Sequence, residues 1–240
     1  MPFIHGKGTT VLLNAYDLSA FLNSADQTIT VETAETTCFG SSAKSYVTGL
    51  RDGTVSVGGF FDGSTGAVDD AMSAAIGSST ASVLSVVESG AATIGNRCLV
   101  VQSLDTSYQI TGAVGDAVTI SAEFQVDGTG SSGAYRGVVL ADLASYSGTT
   151  KNYTSVDNGA SSANGLTANL HVTANAAASL VVKVQHSTDN VTFTDLVTFT
   201  TLAATGSEHK TTTGTVNRYI RATWTGLSGA RTVAVTAARK

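Results

Sequence analysis

Proline and tryptophan occur once each in this chain of 240 residues, cysteine twice, and Asp, Glu, Lys and Arg together make up only 13% of it. So little charge with a mean hydropathy of +0.16 excludes a disordered chain, which stays unfolded because it is charged and poor in apolar residues. Cys38 and Cys98 are too far apart to form a metal-binding pair, and without an export signal free buried thiols are expected rather than a disulfide. The opening Met1-Pro-Phe-Ile-His-Gly-Lys-Gly8 lacks the apolar stretch of a signal peptide. No apolar run approaches the roughly 18 residues of a membrane helix, so no membrane partner is expected. Without secretion, the glycosylation sequons at Asn152 and Asn190 are accidental.

What is abundant is Thr, Val, Ser, Ala and Gly, the last numbering 25, a composition that favours strands joined by glycine turns. The length exceeds that of a typical single domain. Residues 1–145 carry 5 basic and 14 acidic side chains, residues 146–240 carry 8 and 4, so a boundary near 145 is expected between an acidic and a basic unit. The acidic unit should repel nucleic acid.

Along the first unit a short strand at 10–14 precedes two alternating segments at about 27–39 and 53–62. Val68, Met72 and Ile76 then recur at helical spacing, with Thr65 as expected N-cap and Gly77 as stop, which predicts one short amphipathic helix. Strands are expected at 81–88, 97–103, 107–112, 117–127 and 136–141, with a loop at 127–133. In 117–127, Val118, Ile120, Ala122, Phe124 and Val126 form one face and Thr119, Ser121, Glu123 and Gln125 the other. The second unit shows five strands, at 166–172, 179–187, 193–199, 216–224 and 231–236, the pattern of a β-sandwich.

Between Asp26 and Phe61 two alternating segments flank a polar insertion, Ser41 to Asp52, longer than a usual hairpin loop. Glu35-Thr-Thr-Cys-Phe-Gly40 and Gly49-Leu-Arg-Asp-Gly53, followed by Gly59-Phe-Phe-Asp62, resemble the tube-building hairpin of the tail tube proteins of long-tailed bacteriophages. Tyr16-Asp-Leu-Ser-Ala-Phe-Leu-Asn23 is similar to their linking segment. The resemblance implies a mainly β fold: a tail-tube-type β-sandwich or barrel with one short α-helix, plus a C-terminal jelly-roll or Ig-like β-sandwich. It further implies stacked, hexameric rings forming a conduit for genome ejection, in a virion assembled in the host cytoplasm. The implied partners are further copies of the chain, the tape measure, terminator and distal tail proteins, and double-stranded DNA that passes without specific binding. In the second unit, Lys183 to Asn190 with Arg218-Tyr-Ile-Arg221 resembles galactose-binding-type jelly rolls, which makes outer decoration the first reading and an adhesive, sugar-binding module the alternative.

On residues alone, a polar strand face is most often a solvated outer surface. With the resemblance, Thr28, Thr30, Glu32, Thr54, Ser56, Thr119, Ser121, Glu123 and Gln125 become the expected lumen lining, whose acidic and small polar groups offer DNA no binding site. Lys44, Tyr46, Val47, Leu50 and Arg51 become the inter-ring contact, aromatic and Arg side chains being common anchors.

No enzyme is expected. His186, Ser187, Asp189 and Asp195 supply triad residue types, but neighbours on a strand point to opposite faces. Asp157-Asn-Gly159 reads as a turn, and His5, His171 and His209 lack metal-ligand spacing, so neither metal nor cofactor is expected. Ile220, Ala222 and Trp224 share one strand face, so Trp224 is expected in the core, away from Tyr219 and Arg221; Tyr153, Tyr219 and Trp224 would be the aromatics of any sugar site.

Overall fold

A computed structural model describes residues 6–88, 90–129, 133–176 and 179–240. His5, most of the first eight residues and the middle of the 127–133 loop lie outside the described residues. The chain is mainly β, with antiparallel strand pairing throughout its ladders and a single α-helix among the described residues, and its sheets do not close into a barrel.

The first unit comprises β1 (Thr10–Leu13), β2 (Tyr16–Asp17), β3 (Leu22–Glu35), β4 (Tyr46–Phe60), α1 (Val68–Ala75), β5 (Ser82–Val87), β6 (Arg97–Thr111), β7 (Thr119–Val126) and β8 (Tyr135–Tyr146). The segments read as 97–103 and 107–112 are one strand, β6, whose polar middle is a register shift between Asp105 and Ser107 rather than a turn. In β7, Ile120, Ala122, Phe124 and Val126 point inward as their alternation requires, but Val118 precedes the strand and is exposed. Helix α1 closes this core with Val68, Ala71, Met72 and Ala75. Thr65 does not cap it: the N-cap is Ala67, and the Asp70 carboxylate reaches back to the Gly66 N–H at 3.0 Å. Gly77, at φ 72°, ends the helix in the left-handed conformation that only glycine adopts without strain.

The described residues of 146–240 hold eight strands rather than five: β9 (Thr150–Asn152), β10 (Val156–Asp157), β11 (Leu166–Asn175), β12 (Val181–Ser187), β13 (Thr194–Thr198), β14 (Gly206–Thr212), β15 (Tyr219–Thr225) and β16 (Arg231–Arg239). β14 reads Gly-Ser-Glu-His-Lys-Thr-Thr, half-buried along its length, and so has no apolar alternation to betray it. β9, β10, β12, β13 and β15 form a five-stranded sheet that packs on β8, β16 and β11 around Trp224, Phe199, Ile220, Leu166 and Leu180.

The expected boundary at 145 does not interrupt the main sheet, because β16 pairs with β8 and carries β11 and β14 with it. Among the described residues one apolar core lies within residues 11–134 and another reaches from Val138 to Ala237, while a third joins Val87, Cys98 and Val100 to Val139 and Ala238 across that point.

Where β11 and β16 come against β5, the contact is polar and buried. Asn169 donates through Nδ2 to the carbonyls of Leu84 at 2.8 Å and Val101 at 3.0 Å, and to Ser85 Oγ at 3.0 Å. His171 lies between the Asn14 carbonyl and Ser85 Oγ, both at 2.8 Å, and Ser85 also meets Thr236 Oγ1 at 2.8 Å. His209 meets Asn169 Oδ1 at 2.6 Å and Thr167 Oγ1 at 3.2 Å. The partners fix the tautomers: each imidazole donates from Nδ1 to a carbonyl or amide oxygen and accepts a hydroxyl proton at Nε2.

Burial pushes both His171 and His209 down to about 4, and at His209 the Lys240 charge adds to the effect while Asp127 opposes it. Asp105 acts in the other direction, its carboxyl raised by burial to about 7. Between about 4 and the ordinary histidine value of 6.5, the unfolded chain therefore binds more protons at two histidines and fewer at one aspartate. The net is stability that rises with pH in that window. In an Asp105→Asn variant, urea midpoints should climb from pH 4.5 to about 6.5 and then level; the unmodified chain should climb less steeply. A flat profile in the variant would refute the neutral histidine network.

A candidate assembly surface on the long hairpin

The β3–β4 hairpin has a loop of residues 36–45, so the expected insertion 41–52 is mostly strand. Tyr46-Val-Thr48 pairs with Thr33-Ala-Glu35, and the register shifts between Val31 and Thr33, where Gly49 and Leu50 stand opposite Glu32. That bulge, with a glycine in it, breaks the alternation and hides the start of β4 from the sequence. Tyr46, Val47, Leu50 and Arg51 are thus strand residues, and only Lys44 of the expected contact group lies in the loop.

From Thr28 to Asp52 every residue of the hairpin is exposed, on both faces. β4 is backed by β7 only from Thr54 onward, and among the described residues β3 has β4 as its one neighbour. Among the described residues the outer edge of β3 therefore has no paired strand from Asn23 to Glu35, the Leu22 N–H donating to the Leu18 carbonyl. At the other side of the same sheet, β6 pairs with β5 only up to Ser103, so Leu104–Thr111 present a second open edge opposite β7. Open edges of this length bind other chains unless something protects them.

Register places the expected lining residues on one face. Thr28 lies opposite Thr54, which lies opposite Gln125; Ser56 lies opposite Glu123, Gly58 opposite Ser121, and Phe60 opposite Thr119. Directly opposed residues share a face. Thr30 and Glu32 follow Thr28 by alternation along β3, and the Glu32 side chain lies beside Gly49, whose missing Cβ would sit 3.2 Å from the Glu32 Cβ. Two acids went unread there: Asp26, opposite Ser56, and Asp52, opposite Thr30 and bonded to Gln125 Nε2 at 2.6 Å. Their alternation with Thr28 and Thr54 was the available signal.

The charges expected to reach a neighbouring ring have partners within the chain. Lys44 Nζ lies 3.0 Å from Glu35 Oε2 across the hairpin. Arg51 turns to the face opposite Asp52, 4.9 Å from the Tyr135 ring centroid, and donates to the Ala134 carbonyl at 3.3 Å. Tyr46, Val47 and Leu50 are exposed and unused, Leu50 at 77%. Cys38, expected to be buried, is exposed in the loop, and Cys98 is buried.

The remaining candidates do not converge. Ser187 donates to Asp189 at 2.8 Å, Asp195 takes Lys183 and Gln185, and His186 Nδ1 accepts the Asn217 N–H at 3.2 Å. Asp157 bonds the Gly159 N–H at 2.8 Å and Arg218 at 2.7 Å, as a turn residue held by an ion pair that keeps its carboxyl down at about 2. Trp224 and Tyr153 are core residues, 1% and 4% exposed, so neither offers a sugar a stacking surface. Among the described residues no three His, Cys, Asp or Glu side chains are grouped to hold a metal, and no helix is long and apolar enough to cross a membrane.

No protein-family model and no curated protein matches the chain. Solved structures resemble it loosely. A chain from the virion of a native gene transfer agent particle is 17% identical, covering 55% of this chain and 98% of its own, at a TM-score of 0.45. A chain from the tail of an empty gene transfer agent particle, refined with C6 symmetry, is 17% identical over 53% and 96%, at 0.41. The SPP1 Dit protein, described as a paradigm of the hub adsorption apparatus in phages infecting Gram-positive hosts, is 12% identical over 95% and 98%, at 0.35. Likenesses of this degree carry no functional argument.

The hairpin is anchored by close backbone packing at its root. A Cβ on Gly59 would stand 2.2 Å from the Phe21 carbonyl oxygen and 2.8 Å from the Leu22 Cα, both backbone atoms. Gly59→Ala should therefore cost about 1–3 kcal/mol in urea unfolding. An unchanged midpoint would show that β3 and β4 do not approach this closely.

Proposed function

We propose that this chain is a structural protein of a phage-type tail, polymerising as stacked hexameric rings into a tube through which the genome passes. One observation carries the reading: a hairpin with an unpaired outer strand and no cover on its distal half, at one side of a sheet whose other side is also open. β3 of one copy extends the sheet beside residues 104–111 of the next, a head-to-tail contact that repeats around a ring until no edge is left. The motif resemblance of Glu35–Gly40 and Gly49–Asp62 supports the same assembly.

One face of that sheet is filled by the apolar core under α1, which leaves the polar face for the lumen. Asp26, Glu32, Asp52 and Glu123 then give the wall a negative sign, with Thr and Ser between them. DNA meets weak repulsion and no cationic contact to hold it. Residues 1–145 form the tube unit and residues 146–240 a decoration module, fixed to it through the β8–β16 ladder.

Electron microscopy of the concentrated protein tests the reading: hollow, axially striated tubes are expected, and a monomer persisting at all concentrations would contradict it. The lining is tested separately. Tubes of a Glu32→Lys/Glu123→Lys variant should retain double-stranded DNA at low salt and release it at high salt, while unmodified tubes retain none. Equal retention would place these residues outside the lumen.

A further inference from the structure

Asp105 stands where the open edge of β6 begins. It lies opposite Phe124, as Ser103 lies opposite Val126, so its side chain is on the core face with those buried residues. The strand slips between Asp105 and Ser107, and Tyr108 is the next side chain opposite a core residue, Ala122. Both Asp105 carboxylate oxygens are out of solvent, and among the described residues neither has a hydrogen-bond partner. A buried carboxylate with no donor is costly once ionised, and a native fold that keeps one calls for an explanation.

The elements packed around it do not offset that cost. β5 carries no ionisable side chain, the core face of β7 is apolar, and Glu123 points to the other face. On α1 both neighbouring charges are acidic: Asp69 accepts from the Tyr108 hydroxyl at 2.8 Å and Asp70 from the Gly66 N–H at 3.0 Å. Burial is what raises the Asp105 carboxyl to about 7. Assembly adds to the burial. Directions alternate along β3, β4, β7 and β6, so a copy related by rotation brings its β3 antiparallel to residues 104–111, with both core faces on one side. β3 includes Asp26, Glu32 and Glu35 and no Lys or Arg. Its core-facing side chains before the second register shift are Ala25, Gln27, Ile29 and Val31. Whatever the register, the strand that covers Asp105 supplies no cation to it.

We propose that Asp105 is the assembly switch of this edge: its carboxyl must carry a proton before the β3 of a second copy pairs with residues 104–111, so polymerisation takes up protons and alkali reverses it. This deepens the tube reading and rests on it. Below about pH 7 the carboxyl already holds its proton and assembly is indifferent to pH at this group; above that value each copy must first bind one.

The concentration at which tubes first form, read by sedimentation, tests the switch. For the unmodified chain it should stay level from about pH 6 to 7 and then rise by up to about tenfold per pH unit. For Asp105→Asn, neutral throughout and sharing every other titrating group, that rise should be absent. A second readout needs no variant: in lightly buffered solution at about pH 8, assembly of the unmodified chain should take up close to one proton per copy. A level threshold or no proton uptake in the unmodified chain, or the same rise in Asp105→Asn, would overturn the switch and leave the tube reading intact. Absence of tubes from the unmodified chain at every pH would remove the tube reading and this inference together.

Discussion

A strand at the edge of a sheet leaves half its backbone hydrogen-bonding groups without a ladder partner, and among the described residues that condition extends over β3 from Asn23 onward and the far half of β6. Most proteins keep such edges short, bulged, charged or covered. Here the outer strand carries Asp26, Glu32 and Glu35 and two register shifts, yet its fourteen residues also include Thr, Ile and Val, which favour further pairing. Much of the remaining architecture holds this edge in place. Gly59 lets the root of the hairpin approach Phe21, β7 braces β4 from Thr54 onward, and α1 seals the core beneath. In the proposed assembly an element that is rigid at its root and open along its edge is completed by another copy of the chain.

The second organising contact is the polar layer between β5 and the strands β11, β14 and β16. A core filled only with apolar side chains would let the two halves slide, whereas Asn169, His171, Ser85 and Thr236 each need a partner in one particular place. The arrangement fixes the orientation of the C-terminal sandwich relative to the hairpin. It also makes the joint sensitive to acid, because both imidazoles accept hydrogen bonds that protonation abolishes.

Local pattern made part of this legible from the sequence. The alternation of β7, the 3.6-residue spacing of Val68 and Met72, and the inward face of Ile220, Ala222 and Trp224 are all decided by short-range burial. What stayed hidden depends on distant partners. β14 is a strand because β11 supplies its ladder, not because its own residues alternate. Tyr46–Arg51 reads as loop because a bulge at Gly49 shifts the register, and β6 reads as two strands because Asp105–Ser107 interrupts it. His171 and His209 look scattered in sequence and meet through Asn169 and Ser85 in space. At the candidate site the polar face was visible as alternation. The internal partners of Lys44 and Arg51 were not, since Glu35 and Tyr135 are brought to them by the fold.

The central claim is that the outer edge of β3 is open in the free chain and paired in the polymer. Amide hydrogen exchange across residues 22–35, compared between dilute protein and concentrated, sedimentable material, measures this directly. The account predicts that about half of these amides, those facing away from β4, exchange rapidly in the dilute chain and become strongly protected on assembly, together with those of residues 104–111. Identical exchange in the two states, with protection appearing elsewhere or nowhere, would contradict it.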